Sequence, residues 1–195
     1  LYDETGEAVV VECGCFSKEE GERLKKFLSE NNLKPVALLD THLHIDHMFG
    51  NNFMLDEYGL SARAHKADSF WVEDAEKYAA MLGMRGIATP SALGEYLKDG
   101  DVVKFGHSEL EVIHVPGHSP GGLCFYSAKD KLLIAGDVLF QGSIGRADLP
   151  GGDMHQLLNG IREKLFVLPD DVRVIPGHGG YTTIGEEKRM NPFFQ

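Results

Sequence analysis

Basic side chains are scarce in this 195-residue chain: 19 lysines and arginines face 30 aspartates and glutamates, a formal net charge of −11. Proteins that grip phosphate backbones rely on clustered Lys and Arg, so the deficit argues against nucleic acid as a partner. Cysteine is also sparse, with three residues, too few for the disulfide framework of a small secreted domain. No apolar run approaches the roughly 20 residues that span a bilayer, which argues against a membrane partner, and no secretory leader is recognisable. Leu1 stands where a methionine would begin a chain, which allows for a segment upstream. Apolar residues make up 43% and charged ones 25%, outside the disordered regime. The expectation is a soluble, cytoplasmic protein folded as one domain over residues 1–195, long enough to bury a sizeable core.

Two residue types are over-supplied. Glycine fills 23 positions, about 12% against a usual ~7%, which signals tight turns and close backbone approaches. Histidine fills nine, and His42, His44 and His47 crowd into one short segment. Elsewhere short apolar strands alternate with amphipathic helices. Strands are expected at 8–11 and 35–40, and Ser17 with Glu20 has the form of a capping box opening a helix that carries Leu24, Phe27 and Leu28. A short helix at 52–58 closes on Gly59, and Trp71, Ala75, Tyr78, Ala79 and Leu82 mark one face of another. Hairpins follow from 101–105 with 109–115 and from 123–127 with 131–135, then a glycine-rich loop at 141–152. A helix at 154–166, a strand at 172–175 and a helix at 184–190 complete an α/β pattern of sheets covered by helices.

The run Thr41-His42-Leu43-His44-Ile45-Asp46-His47 directly follows a buried strand. On extended chain His42 and His44 point to the same side, so both imidazoles can reach one ion. If the chain then curls into a helix, Asp46 and His47 swing to a neighbouring point, which is what a two-ion site needs. Three later strands each deliver one more candidate ligand behind a glycine: Gly117-His118, Gly136-Asp137 and Gly177-His178. Any one of these could be a turn residue; function, though, concentrates where strands feed into loops. The remaining histidines, His65, His107, His114 and His155, are read as structural. So are Cys13 and Cys15, whose single intervening residue is not a redox spacing.

The run 41–47, followed in order by His118, Asp137 and His178, resembles the metallo-β-lactamase-fold hydrolases over essentially the whole chain. Segments 140–153 and 182–187 look like the short glyoxalase II-like (hydroxyacylglutathione hydrolase) subgroup. The resemblance implies an αββα four-layer sandwich lacking its first strand or two, which leaves a sheet edge to be covered. It implies that His42, His44 and His118 hold one metal and Asp46, His47 and His178 a second, with Asp137 bridging. Imidazole and carboxylate donors suit zinc first, with iron or manganese as alternatives. Asp137 also argues against an antibiotic-hydrolysing role, because many true β-lactamases of this fold carry Cys or Ser there. The helical domain with which long-form enzymes hold glutathione has no counterpart after His178, which leaves the identity of the thiol open.

The implied chemistry is hydrolysis of a small-molecule thioester such as S-lactoylglutathione, by a hydroxide shared between the two metals. Asp46 and Asp137 would serve it catalytically. Arg146 in the glycine-rich loop is a candidate to bind a substrate carboxylate, against an ion pair with Asp148; Phe140 and Tyr181 are read as packing. The closest alternative is a persulfide dioxygenase of the same fold, which uses one iron. A nuclease is disfavoured by the charge. A metal-binding domain without catalysis is disfavoured because all seven ligands are present.

Overall fold

The computed structural model describes residues 1–81, 83–84 and 89–195. They gather into two compact units, one of Leu1–Tyr96 with Lys104–Glu109 and one of Leu97–Val103 with Leu110–Gln195. The architecture is α/β with mixed sheets, as expected. No described helix is long and apolar enough to cross a membrane.

The first unit is built on a parallel three-stranded sheet, in which β1 (Glu7–Val11) pairs with β2 (Lys34–Leu39) and β2 with β3 (Ala62–Arg63). Parallel neighbours need a crossover helix. The first is α1 (Lys18–Glu30), whose capping box is complete: the Ser17 hydroxyl accepts from Glu20 N–H, and the Glu20 carboxylate accepts from Ser17 N–H. Leu28 is buried as its spacing implies, whereas Phe27 is 48% exposed. The second crossover holds the histidine segment and α2 (Asn51–Tyr58), which ends on Gly59 at φ +69°. A small core of Cys13, Leu38, Met54 and Ala62 lies among these elements. The open edge expected at β1 is partly covered by the chain itself, since Val9 exchanges hydrogen bonds with Leu1 and Tyr2 bridges Ala8.

The single helix expected around Trp71 is two, α3 (Ser69–Glu73) and α4 (Ala75–Met81). Asp74 interrupts them, with its N–H bonded back to Phe70 and Val72, and a short acidic side chain competes with helical bonding in the way that favours such breaks. Trp71, Ala75 and Ala79 are buried as a set; Leu82 lies outside the described residues.

The second unit carries most of a six-stranded sheet in the order β11-β10-β7-β6-β5-β4. Its strands are β4 (Val102–Phe105), β5 (Ser108–His114), β6 (Leu123–Ser127), β7 (Leu132–Gly136), β10 (Arg173–Pro176) and β11 (Thr182–Thr183). β7 and β10 pair in parallel; β5–β6, β6–β7 and β10–β11 are antiparallel. The stretch expected to be pure loop contains part of a two-stranded ribbon, β8 (Leu139–Phe140) with β9 (Ser143–Ile144). The core gathers Val115, Leu133, Ala135, Leu157, Ile161 and Val174. The helix expected at 154–166 is α-helical only over α5 (Met154–Gly160), and Ile161–Leu165 widens into a π-helical turn closed by Phe166 N–H on Ile161 O. Ile184–Met190 forms α6, with Thr183 as its N-cap.

Candidate metal centre

In the first unit the sequence sets the ligands at the end of β2. Asp40 continues the sheet, donating its N–H to Arg63 O at 3.0 Å. Its side chain is fully buried and accepts from Asn51 Nδ2 at 2.7 Å. Burial pushes the Asp40 carboxyl up to about 8, and the Asn51 bond opposes that rise. The chain bends at Thr41, is extended at His44 and then makes one 3-10 turn, Ile45–His47, so the expected helical curl after the first two histidines is present as a single tight turn. Asp68 pins it from beside, accepting from Leu43 N–H at 3.2 Å.

This path brings the three imidazoles together. The His42 ring lies 4.6 Å from that of His44 and 4.0 Å from that of His47. All three are buried, and Asp46, with its side chain 43% exposed, reaches His47 Nε2 at 3.5 Å. His44 is wedged edge-to-face against Trp71 at 4.5 Å.

Sequence reasoning missed one member. Glu12 follows β1 directly, and its Oε1 lies 3.0 Å from His47 Nδ1 and 3.8 Å from His42 Nδ1 while accepting from the Thr41 hydroxyl. Glu12, His42 and His47 together have the donor types and spacing to hold an ion. The signal lies in the strand pairing: β1 and β2 run parallel with Val11 opposite Leu39, so an acid just after β1 lies beside the segment just after β2.

In the second unit three strand ends meet. Gly117, at φ +133°, packs so closely that a Cβ would strike the Leu157 backbone N, and this close approach sets His118. His118 Nδ1 lies 2.7 Å from Arg146 O; a carbonyl only accepts, so Nδ1 carries the hydrogen and Nε2 is the ligating atom. His118 Nε2 and His178 Nε2 lie 3.6 and 3.7 Å from the same oxygen, Asp137 Oδ2, longer than a hydrogen bond. Gly136 turns the chain into Asp137 at φ +48°. Gly177 does its part without a positive φ, donating to Gly136 O at 2.8 Å. His118 and Asp137 are largely buried, and the His178 side chain is 58% exposed.

Arg146 does not present an open fork. Its Nε and Nη2 bind both oxygens of Asp148 at 2.6 and 2.7 Å on an exposed stretch, and its carbonyl is what touches the histidine. Tyr181, expected to pack, is 74% exposed. Among the described residues, His65, His107, His114 and His155 join no cluster that could hold an ion. The three cysteines are not joined in disulfides, and burial, with Cys15 beside it, pushes the Cys13 thiol up to about 12. Both donor sets are imidazole and carboxylate without thiolate, which fits zinc, iron or manganese.

A model of the metallo-beta-lactamase superfamily matches residues 1–178. The chain is 37% identical over 194 residues to the hydroxyacylglutathione hydrolase GloC of Haemophilus influenzae, covering 99% of this chain and 90% of that protein. Among solved structures it is similar to the BLEG-1 B3 metallo-beta-lactamase, with TM-score 0.89 and 38% identity over 100% of this chain and 91% of the other. It is also similar to TTHA1623 in a di-iron-bound form, with TM-score 0.83 and 36% identity over 94% and 87%.

Proposed function

The chain belongs to the metallo-beta-lactamase superfamily, a group of metallo-hydrolases and related enzymes, and from that premise we propose that it is a two-metal hydrolase of a small thioester such as S-lactoylglutathione. In this reading His42, His44 and His118 would hold one ion and Asp46, His47 and His178 the other, with Asp137 shared. The observation that carries it is the pairing of His118 and His178 on one oxygen of Asp137, the arrangement expected of a carboxylate shared by two ions. Likeness to a hydroxyacylglutathione hydrolase over nearly the full chain supports the thioester.

Such a pair of ions, when bound, lowers the pKa of a water to near neutrality and polarises a carbonyl. The protein's part is orientation and proton handling. His118 is fixed by the Arg146 carbonyl, and Asp46, the most exposed carboxylate of the first set, would accept the proton of the attacking water. Water adds to the acyl carbon, the carbon–sulfur bond breaks, and a carboxylate and a thiol leave. The thiolate is a good leaving group and needs little acid assistance. A substrate carboxylate would reach Arg146 only by displacing Asp148.

A second reading, hydrolysis of a cyclic amide, is favoured by the likeness to BLEG-1. An anaerobic assay separates the possibilities. Cleavage of S-lactoylglutathione without oxygen, by protein carrying two ions per chain, is the expected result. Oxygen uptake with a glutathione persulfide and one iron per chain would overturn it in favour of a dioxygenase. Turnover of a chromogenic β-lactam without thioester cleavage would favour the second reading, and protein recovered without metal from replete growth would leave no enzyme of either kind.

A further inference from the structure

Glu12 has an unusual backbone and an unusual set of neighbours. It sits at φ +53°, a left-handed conformation that costs a non-glycine residue energy and survives only where the surroundings enforce it. Its N–H is held by Leu39 O at 2.8 Å, and its side chain, 14% exposed, turns into the histidine cluster. There one atom, Oε1, gathers two donors. Thr41 Oγ1 donates to it, and His47 Nδ1 lies 3.0 Å away. Because the Thr41 hydrogen is spent on Glu12, its oxygen can only accept, and His42 Nδ1 lies 3.1 Å from that oxygen. The chain of donors therefore runs from His42 Nδ1–H to Thr41 O–H to Glu12, and from His47 Nδ1–H to the same carboxylate oxygen.

We propose that Glu12 is a positioning residue that, directly and through Thr41, fixes the Nδ1–H tautomer of both His47 and His42 and so turns both Nε2 atoms into ligands. The inference rests on the two-metal reading and deepens it, because His42 and His47 are assigned there to different ions. One carboxylate oxygen would then orient one ligand of each. A carboxylate behind a ligating histidine fixes its ring and raises its basicity, and losing such a partner typically costs about 10- to 100-fold in metal affinity.

The test uses the full chain with Glu12→Ala, Glu12→Gln and Thr41→Val, read out by zinc affinity in chelator competition and by imidazole nitrogen NMR of metal-free protein. In the wild type both rings are expected as Nδ1–H tautomers. E12A should lose that preference in both and weaken both ions by about 10- to 100-fold. E12Q, whose amide oxygen can still accept, should restore the tautomers and most of the affinity. T41V should disturb His42 alone and weaken one ion. Wild-type affinity for both ions in E12A, or Nε2–H rings in the wild type, would overturn the proposal. Should E12A fail to fold, the wild-type tautomers and T41V still decide it. Absence of a second ion in the wild type would sink the two-metal reading instead, and the metal-free spectra would continue to test Glu12.

Discussion

Arg146 shows how a side chain's neighbours decide what it can do. Its fork is closed on Asp148, and that bonding holds the Asp148 carboxyl down at about 2. A depressed carboxyl pKa contributes stability in full above the ordinary carboxylate value of about 3.9, and the contribution is lost as pH falls through about 2. Carbon-detected NMR of Asp148 should therefore show a midpoint near 2 in the wild type and near the ordinary ~3.9 in Arg146→Gln; equal midpoints would mean the pair does not persist in solution. Cys13 makes the opposite case. With its thiol pushed up to about 12 and its side chain buried, it stays protonated at pH 8, where only thiolates react. Iodoacetamide at that pH should label half-buried Cys15 in the native protein and reach Cys13 only after unfolding, as read by peptide mass. At this scale the histidine segment was legible, since four candidate ligands, three histidines and one aspartate, fall in one register after a strand. Glu12 was not, because its signal is the parallel pairing of β1 with β2, which no single segment of sequence displays.

Strands and helices were legible where a local pattern decides them and illegible where a neighbour does. The capping box at Ser17 is a local device, and it formed as written; Ser17→Ala should cost about 1 kcal/mol in urea unfolding. The π-helical turn after Gly160 was not foreseen, because packing overrides the repeat. A Cβ on Gly160, for instance, would come within 2.9 Å of Val115 Cγ1, so this helix is pressed onto the strand end that leads to His118. The glycine-rich loop hid β9 for a similar reason. Gly145 lies so close that a Cβ would fall on the Asp137 carbonyl oxygen and 3.0 Å from the His118 ring. Gly145→Ala should lose about 1–3 kcal/mol by overpacking and shed metal as well. Gly142→Ala, at φ +65° with open space around it, should cost only the left-handed penalty of about 1–2 kcal/mol and keep its metal. Equal metal content in both variants would show that Gly145 does not shape the site.

For the whole molecule, the proposed ligands come from segments as far apart in sequence as His42 and His178, so no local turn of structure can supply them; only the folded chain can. Under the two-metal reading the ions bind the native state alone, and they must then stabilise it. At a free concentration 100 times the dissociation constant the gain is about 2.7 kcal/mol, or about 5–10 °C in melting temperature for a chain of this length. The protein carries its own reporter of where that gain arises. Its sole tryptophan, Trp71, is buried with its ring 4.5 Å from His44, and a paramagnetic cation held by that imidazole will quench it. Titrating cobalt into chelator-treated protein should quench the emission until the site saturates, and the same addition should raise the melting temperature. His44→Ala should abolish the quenching and part of the thermal shift. A melting temperature indifferent to chelator, with unchanged emission, would mean that these histidines hold no ion.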